Sequence, residues 1–580
     1  MKETTVTNGE NNINIEEKFF RKGTLTRSKL LEYIPVMILT NMSVFILSTV
    51  DGLVAGNLVS ADALGSISIF GPVLILLSVI SVLVSAGSAT SLSTCMGKND
   101  VEQIGRTKSA IMLVMILAVV ATAVVEYPMM HMIVDSYDLT AGTRKMVWEY
   151  AIGLMIAMPI GVITSVGSYQ LQILGRMKIL MVLSLTEAVL NVIMDLFFVV
   201  VVDLGVVGIG LGTAVANVVR CSITLIYLAK KTDMFNFGRV RPRLKEVMEI
   251  LSCGLPDAAQ IGIIALQNYF MLKIILYGFG DVGGVIRGVC FFAYNIANIV
   301  NLGLQSSMRP LAGLLAGAED HKGIRNLMNQ GIMLSIGLVG IITVLVLIFP
   351  EFMYHLHGVT SIPEGGTLAI RLYSLYFVFL AVDAMFRLYL TNRKDTRFTT
   401  GLIIGGNATM PFFAFALLIA LPGPFLWLSY LITELLLFVI YVHRYRKWIR
   451  IDLQEDDPSE VLYLSVTPED AVEASRSLRN FADEHEYPEK IAYRMALCME
   501  EMVAYAVESQ KTHDIQIQIM ARFSEDEGTF FMLDDGRCIA LNNDEETKDL
   551  VTDNYELIKR VAKSVEYQYI LNMNYTLIRL

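Results

Sequence analysis

The sequence predicts an all-α polytopic membrane protein, twelve transmembrane helices in two six-helix lobes, followed by a small cytoplasmic α+β domain. Three observations carry this. Stretches of about 20 apolar residues recur, each long enough to cross roughly 30 Å of hydrocarbon. Charge is split along the chain: residues 1–450 hold 34 Lys+Arg against 28 Asp+Glu, whereas 451–580 hold 12 against 28. A short loop motif also recurs half-way along. Of the 580 residues, 54% are hydrophobic and 18% charged, against roughly 25% charged in an ordinary soluble domain.

The spans are expected near 31–55, 63–96, 108–125, 146–168, 179–202, 205–229, 248–277, 284–316, 331–350, 367–391, 399–421 and 424–442. Alternate loops are basic, from Lys18, Arg21, Lys22, Arg27 and Lys29 through Arg176/Lys178 to Arg444, Arg446, Lys447 and Arg450. The intervening loops, such as 126–143 and 351–366, contain no Lys or Arg. The positive-inside rule then places both termini in the cytoplasm of a multi-pass protein of the cell membrane. The first thirty residues are too polar for a cleavable signal peptide.

Gly97, Asp100 and Ile104 recur as Gly317, Asp320 and Ile324, after the second and eighth spans. Lobes of six spans share one topology, so an axis along the membrane normal relates them and a substrate cavity lies between, a common transporter plan. The divisions are a cytoplasmic segment (1–29), an N-lobe (30–229), a cytoplasmic linker (230–246), a C-lobe (247–447) and the tail domain (455–580). No concentrated basic stripe suggests nucleic acid. The six scattered cysteines suggest neither disulfides nor zinc. A monomer in contact with membrane lipid and a small-molecule substrate, without a cofactor, is the expectation.

Ionisable residues inside spans are costly unless paired or facing a water-filled cavity. Asp51 falls near the outer end of the first span. Glu187, Asn191 and Asp195 are spaced four apart along one side of the fifth. The fifth and sixth spans turn at Asp203-Leu204-Gly205, and counting nine residues each way from Leu204 reaches Asp195 and Thr213. These two therefore share a depth of roughly 13 Å below the turn. Such a set either cages a hard cation in oxygen ligands or carries a proton on a buried carboxylate. The alternatives are a solvated helix end at Asp51 and interhelical hydrogen-bonding at Asn191 and Asp195. Asp383 in the tenth span is a secondary carboxylate, with Arg387 one turn away as its expected ion-pair partner. Arg309 and Lys273 are further intramembrane charges. Thirty methionines suit either plain filler or an adaptable pocket. The cluster Tyr373, Tyr376, Phe377 and Phe379 suits a flat cation or an interfacial belt.

Several of these segments resemble the multidrug and toxic compound extrusion (MATE) transporters. They are Val50-Asp51-Gly52 through Gly56, Gly87-Ser88-Ala89 through Asp100, Asn191 through Asp195, Gly205 through Thr213-Ala214, and Gly254-Leu255-Pro256. The resemblance covers roughly residues 25–445. It implies antiport of organic, cationic or amphipathic compounds against H+ or Na+ by rocking of two lobes. It also implies that Asp51, Asn191, Asp195 and Thr213 form the cation-coupling site, the sole place for a metal ion being Na+ there. The acidic residue some members carry in the seventh span is replaced by Ile261-Gly262-Ile263-Ile264. A flippase for a lipid-linked glycan and a membrane-tethered kinase are the competing functions.

In the tail, Val461–Thr467, Ile515–Phe523, Thr529–Leu533 and Val565–Leu580 read as strands. Pro468–Glu486, Pro488–Ser509 and Asp553–Ser564 read as helices. This order resembles the histidine-kinase-like ATPase fold of anti-sigma-factor serine kinases. The carriers are Glu500-Glu501 through Tyr505-Ala506, Asp534-Asp535-Gly536, and Leu557 through Ala562. Glu501, Tyr505, Asp534 and Gly536 would mark a degenerate nucleotide site. Tyr505 stands where an Asn should hold Mg²⁺, and Thr552-Asp553-Asn554-Tyr555 replaces a Gly-x-Gly phosphate loop. A pseudo-ATPase that regulates the transporter or docks a cytoplasmic protein is therefore expected.

Overall fold

The computed structural model describes residues 24–136, 139–231, 241–359, 361–421, 423–455, 459–510, 515–536, 538 and 552–580. Most of the first segment (1–29), much of the 230–246 linker and the acidic 456–458 stretch lie outside those residues. The apolar body is helical throughout, because backbone polar groups in hydrocarbon must be satisfied within the segment itself.

The first half contains α1 (Thr24–Val54), α2 (Ala61–Lys98), α3 (Val101–Asp135), α4 (Ala141–Ile173), α5 (Met177–Leu196) and α6 (Val206–Lys231). A 74-residue helical run, Leu244–Gly317, follows. It breaks at Gly280, whose φ of 58° and ψ of −147° are not helical, giving α7 (244–279) and α8 (281–317). Next come α9 (His321–Ile348), the short α10 (Pro350–Leu356), α11 (Gly366–Ser374), α12 (Phe377–Asn392), α13 (Thr396–Ala420) and α14 (Leu428–Glu455). Among the described residues, eleven helical segments are long and apolar enough to cross a membrane, with α7 and α8 counted together. Their outer faces carry bare hydrophobics such as Val124, Phe412 and Ile419, 65–75% exposed. Such faces require lipid rather than water as solvent.

The two lobes meet at one end. A single core joins residues from α1 to α4 of the first lobe with Leu304, Met308, Leu327, Met385 and Tyr441 of the second. At the opposite end each lobe keeps its own core. One is built around Phe70, Val147, Tyr150 and Ile209, the other around Met271, Tyr373, Trp427 and Tyr430. The shared core lies at the end carrying the basic loops, where glycines let the lobes touch backbone to backbone. A Cβ on Gly97 would sit 2.1 Å from the Leu314 carbonyl, and one on Gly254 would sit 1.8 Å from that of Leu83. The repeat motif therefore sits at the inter-lobe seam, since Gly97 and Gly317 pack against each other there.

The tail folds as β1 (Val461–Val466), α15 (Ala471–Glu484), α16 (Glu489–Gln510), β2 (Ile517–Phe523), β3 (Gly528–Asp534), α17 (Thr552–Val561), β4 (Ser564–Ile570) and β5 (Met573–Arg579). These are the elements the alternation predicted, within a few residues. The sheet is antiparallel with order β1-β2-β3-β5-β4. One face, including Leu464, Ile519, Phe530, Met532 and Ile578, packs on the helices. The other, including Tyr463, Met520, Phe531, Leu533, Tyr575 and Leu577, joins the core shared by the two lobes. The period of two divides these residues cleanly between two buried faces.

Candidate functional site

The helices α1 and α5 bring the predicted carboxylates together, and each ends within a turn or so of its Asp in a π-helical turn, Ala55–Val59 and Phe197–Val201. Such turns rotate the side chains beside them off the regular helical stripe. Asp51 is buried, and its Oδ2 accepts from the Thr213 hydroxyl at 3.3 Å and the Tyr150 hydroxyl at 3.2 Å. The Asn191 amide donates to Thr213 Oγ1 at 3.1 Å. Asp195 is fully buried beside them, with both carboxylate oxygens lacking a partner, as are Asp51 Oδ1 and Asn191 Oδ1. The helix carrying Thr213 comes this close because Gly212 has no side chain: a Cβ there would stand 2.0 Å from Asp195 Oδ1.

Four oxygen atoms without protein partners thus converge around two carboxylates, an amide and a hydroxyl. Buried polar atoms rarely stay unsatisfied. The set supplies what a hard cation requires, oxygen ligands of mixed charge, and equally a carboxyl pair able to share a proton. Among the described residues no cluster of three or more His, Cys, Asp or Glu fit for a metal ion exists, so any cation here would rest on two carboxylates plus neutral oxygens.

Glu187 lies on the same side of α5 but outside this group. It pairs with Arg220 of α6, which also donates to Ser168 Oγ at 3.0 Å, so its charge is already compensated. The sequence missed Tyr150, which carries no charge or motif to mark it and reaches Asp51 only through the packing of α4.

In the second lobe Asp383 is fully buried, and among the described residues no ion-pair contact joins it to Arg387. That corrects the expected pairing. The neighbour at i+4 on α12 has one guanidinium nitrogen, Nη2, unpartnered, and the acidic group facing Asp383 is Glu434 of α14. Glu434 also lines a small cavity of about 40 Å³ walled by Tyr294, Tyr373, Tyr376, Tyr430, Gln267 and Asn407. The tyrosines pack edge to face, Tyr373 on Tyr430 at 4.6 Å and on Tyr376 at 5.0 Å between ring centres. The aromatic cluster read around Tyr373 and Tyr376 therefore lines a pocket; Phe379 instead packs on Phe438. Arg309 is paired with Asp257 at 2.8 Å, and Lys273 lies over the Tyr269 ring.

The sequence pattern of the MatE family matches residues 37–197 and again 259–419, once in each lobe and over more than half of the chain. The chain belongs to the MatE family. It is accordingly a membrane transporter rather than an enzyme. The multidrug export protein MepA of Staphylococcus aureus (strain bovine RF122 / ET3-1) is 23% identical over 326 residues, 56% of this chain and 71% of that one. The MepA of Staphylococcus saprophyticus is 25% identical over 296 residues, 50% and 65% of the two chains. Among solved structures, a MATE protein in complex with MaL6 superposes with a TM-score of 0.67 at 17% identity, covering 74% of this chain and 97% of that one. A MOP-superfamily transporter from Pyrococcus furiosus Vc1 (DSM3638), described as having a binding pocket of reversed polarity, gives 0.68 at 16%, covering 73% and 96%.

In the tail, Asp534 closes β3. Its Oδ1 accepts from the Gly536 amide at 2.9 Å and from Asn574 Nδ2 at 2.6 Å. Burial pushes this carboxyl up to about 6 in spite of those bonds. Tyr505 is buried on α16, and Glu501 one turn earlier is half-buried. The side chains of 552–555 lie outside the described residues, although the backbone there is already the first turn of α17.

Proposed function

We propose that this transporter is a secondary antiporter that exports organic, cationic or amphipathic compounds in exchange for H+ or Na+. The observation that carries the proposal is the convergence of partnerless oxygens from Asp51, Asn191 and Asp195 around Thr213. Two adjacent buried carboxylates bring more acceptor oxygens together than the neutral donors around them supply, which is what a cation or a shared proton would satisfy. We read the run broken at Gly280 as two spans, which makes twelve crossings, and the basic loops as cytoplasmic, with both termini then on the cytoplasmic side of a cell membrane. No resident cofactor is required, because the gradient supplies the energy. The chain works as a monomer in lipid.

The exported compound is recognised by the tyrosines and Glu434 of the second lobe, groups that suit an aromatic cation, once that lobe opens beyond the small cavity they line. A flippase for a lipid-linked glycan would need basic groups there, and no Arg or Lys stands among the lining residues. The tail acts as a regulatory pseudo-ATPase without a magnesium site.

Inverted vesicles given separate proton and sodium gradients and a panel of dyes and drugs test this reading. Uptake of at least one cationic compound under one of the gradients is expected. Absence of gradient-driven flux for every compound would remove the antiport reading.

A further inference from the structure

The tail does not hang from the last span; its sheet lies across the seam between the lobes at their basic end. Toward the first lobe the β4–β5 hairpin makes most of the hydrogen bonds, joined by Thr26 of α1, which donates to Gln518 of β2 at 3.5 Å. Its two-residue tip, Leu571-Asn572, has φ values of 56° and 54°, the geometry of a tight type I′ turn. The Leu571 carbonyl accepts from the Tyr33 hydroxyl at 2.5 Å, and Asn572 Nδ2 donates to the Gly175 carbonyl at 3.0 Å. Gly175 must be glycine, since its φ is 71° and a Cβ would meet the Asn572 amide at 2.6 Å. Tyr575 donates to the Gly97 carbonyl, the very glycine that abuts Gly317, and Gln568 bonds Asn99.

Toward the second lobe the attachment is of another kind. The tail continues directly from α14, and Asp452 near its end is held by Arg393 at 2.5 Å and by the Tyr389 hydroxyl at 2.6 Å. Arg522 pairs with Glu319 at 3.2 Å, and Lys322 lies over the Tyr463 ring. One sheet thus grips both lobes. Its grip on the second is covalent and ionic, while its grip on the first is a set of neutral hydrogen bonds and apolar contacts, most of them from that hairpin.

If the lobes rock, Gly97 must part from Gly317 for the basic end to open, and a sheet bound to both sides cannot follow both. We infer that the tail is a latch: it stays with the second lobe, holds the basic end shut while its β4–β5 hairpin is seated on Gly97, Asn99 and Gly175, and must unseat from the first lobe before that end opens. This rests on the rocking implied by the antiport reading and names the regulation left general there. Whatever biases the hairpin sets the balance of the two states, as any differential contact does.

The test uses the full chain carrying Cys538→Ser, reconstituted in vesicles. Asn99→Cys with Gln568→Cys, bridged by a short reductant-reversible bis-thiosulfonate, should lower gradient-driven dye transport about tenfold or more, and reductant should restore it. Glu319→Cys with Arg522→Cys, bridged in the same way within the second lobe's side, should leave transport near its untreated rate. A second measurement is independent of transport: the distance between spin labels at Lys178 and Arg397, exposed positions on opposite lobes. Tyr575→Phe with Gln568→Ala removes two neutral hydrogen bonds and should raise the long-distance population about tenfold. Untouched transport in the bridged 99/568 chain, or an unchanged distance distribution in the 575/568 variant, would overturn the latch. Should no form move any compound, the antiport reading falls, and the spin-label distances still decide the latch.

Discussion

Both lobes bury acidic residues, yet surround them differently. In the first, Asp51 and Asp195 face each other and otherwise the neutral groups of Tyr150, Asn191 and Thr213. In the second, Asp383 and Glu434 sit with Arg387 close by, and Glu434 opens onto a wall of tyrosines. A carboxyl pair among neutral donors has no fixed countercharge, so an arriving cation or proton is the natural partner. A pair beside an arginine is partly neutralised already, and Glu434, itself buried, lines a small tyrosine-walled cavity. On the proposed antiport, that difference gives ion coupling to the first lobe and recognition of the cargo to the second.

The largest effect should come from removing the charge in the first lobe. Asp51→Asn and Asp195→Asn should each cut gradient-driven transport about a hundredfold or more, with normal amounts of protein in the membrane. Full transport in both variants would reverse the assignment and move coupling to Asp383. In the second lobe, Glu434→Gln should raise the apparent KM for cationic dyes about tenfold, the value of one lost charge-assisted contact, and leave neutral substrates unchanged. Equal losses for cations and neutral compounds would break the division of labour.

Gly212→Ala probes the first site without touching a polar group. The new methyl would collide with Asp195 Oδ1, and transport should fall about tenfold while thermal stability drops modestly. Asn191→Ala and Thr213→Ala should be milder, about threefold each, because water can replace one neutral ligand.

The smallest effect concerns the tail. Asp534 is raised to about 6 by burial, above its unfolded value near 4. Its protonated form is therefore favoured by folding, so it stabilises the tail at low pH and that contribution is lost as pH rises from about 4 through 6. Hydrogen exchange of the β3 and β5 amides should show falling protection over that window. Asp534→Asn, which keeps an acceptor for Gly536 and Asn574, should flatten the profile.

Much of the first site was legible from spacing. The count of nine residues each way from Leu204 placed Asp195 and Thr213 at one depth, and Gly212 indeed lies against Asp195. The period of four put Glu187 on the same side of α5, but spacing carries no information about Arg220, which takes it out of the group. In the second lobe, proximity on one helix suggested an Asp383–Arg387 pair. The chain instead set Asp383 against Glu434, more than a helix away in sequence.

What the sequence determined by itself was local and periodic. Apolar runs of bilayer length forced helices, alternating basic loops marked one end, a repeated Gly-Asp loop announced two related halves, and alternation in the tail laid out its strands and helices. The tertiary structure decided the rest, because the remaining contacts join residues far apart in the chain. Tyr150 reaches Asp51 across 99 positions, and Tyr575 reaches Gly97 across 478. The acidic tail reads as a free soluble domain because its net charge dominates its composition. Its sheet is nonetheless apolar on both faces, and only the assembled lobes offer the surface that keeps the second face from water.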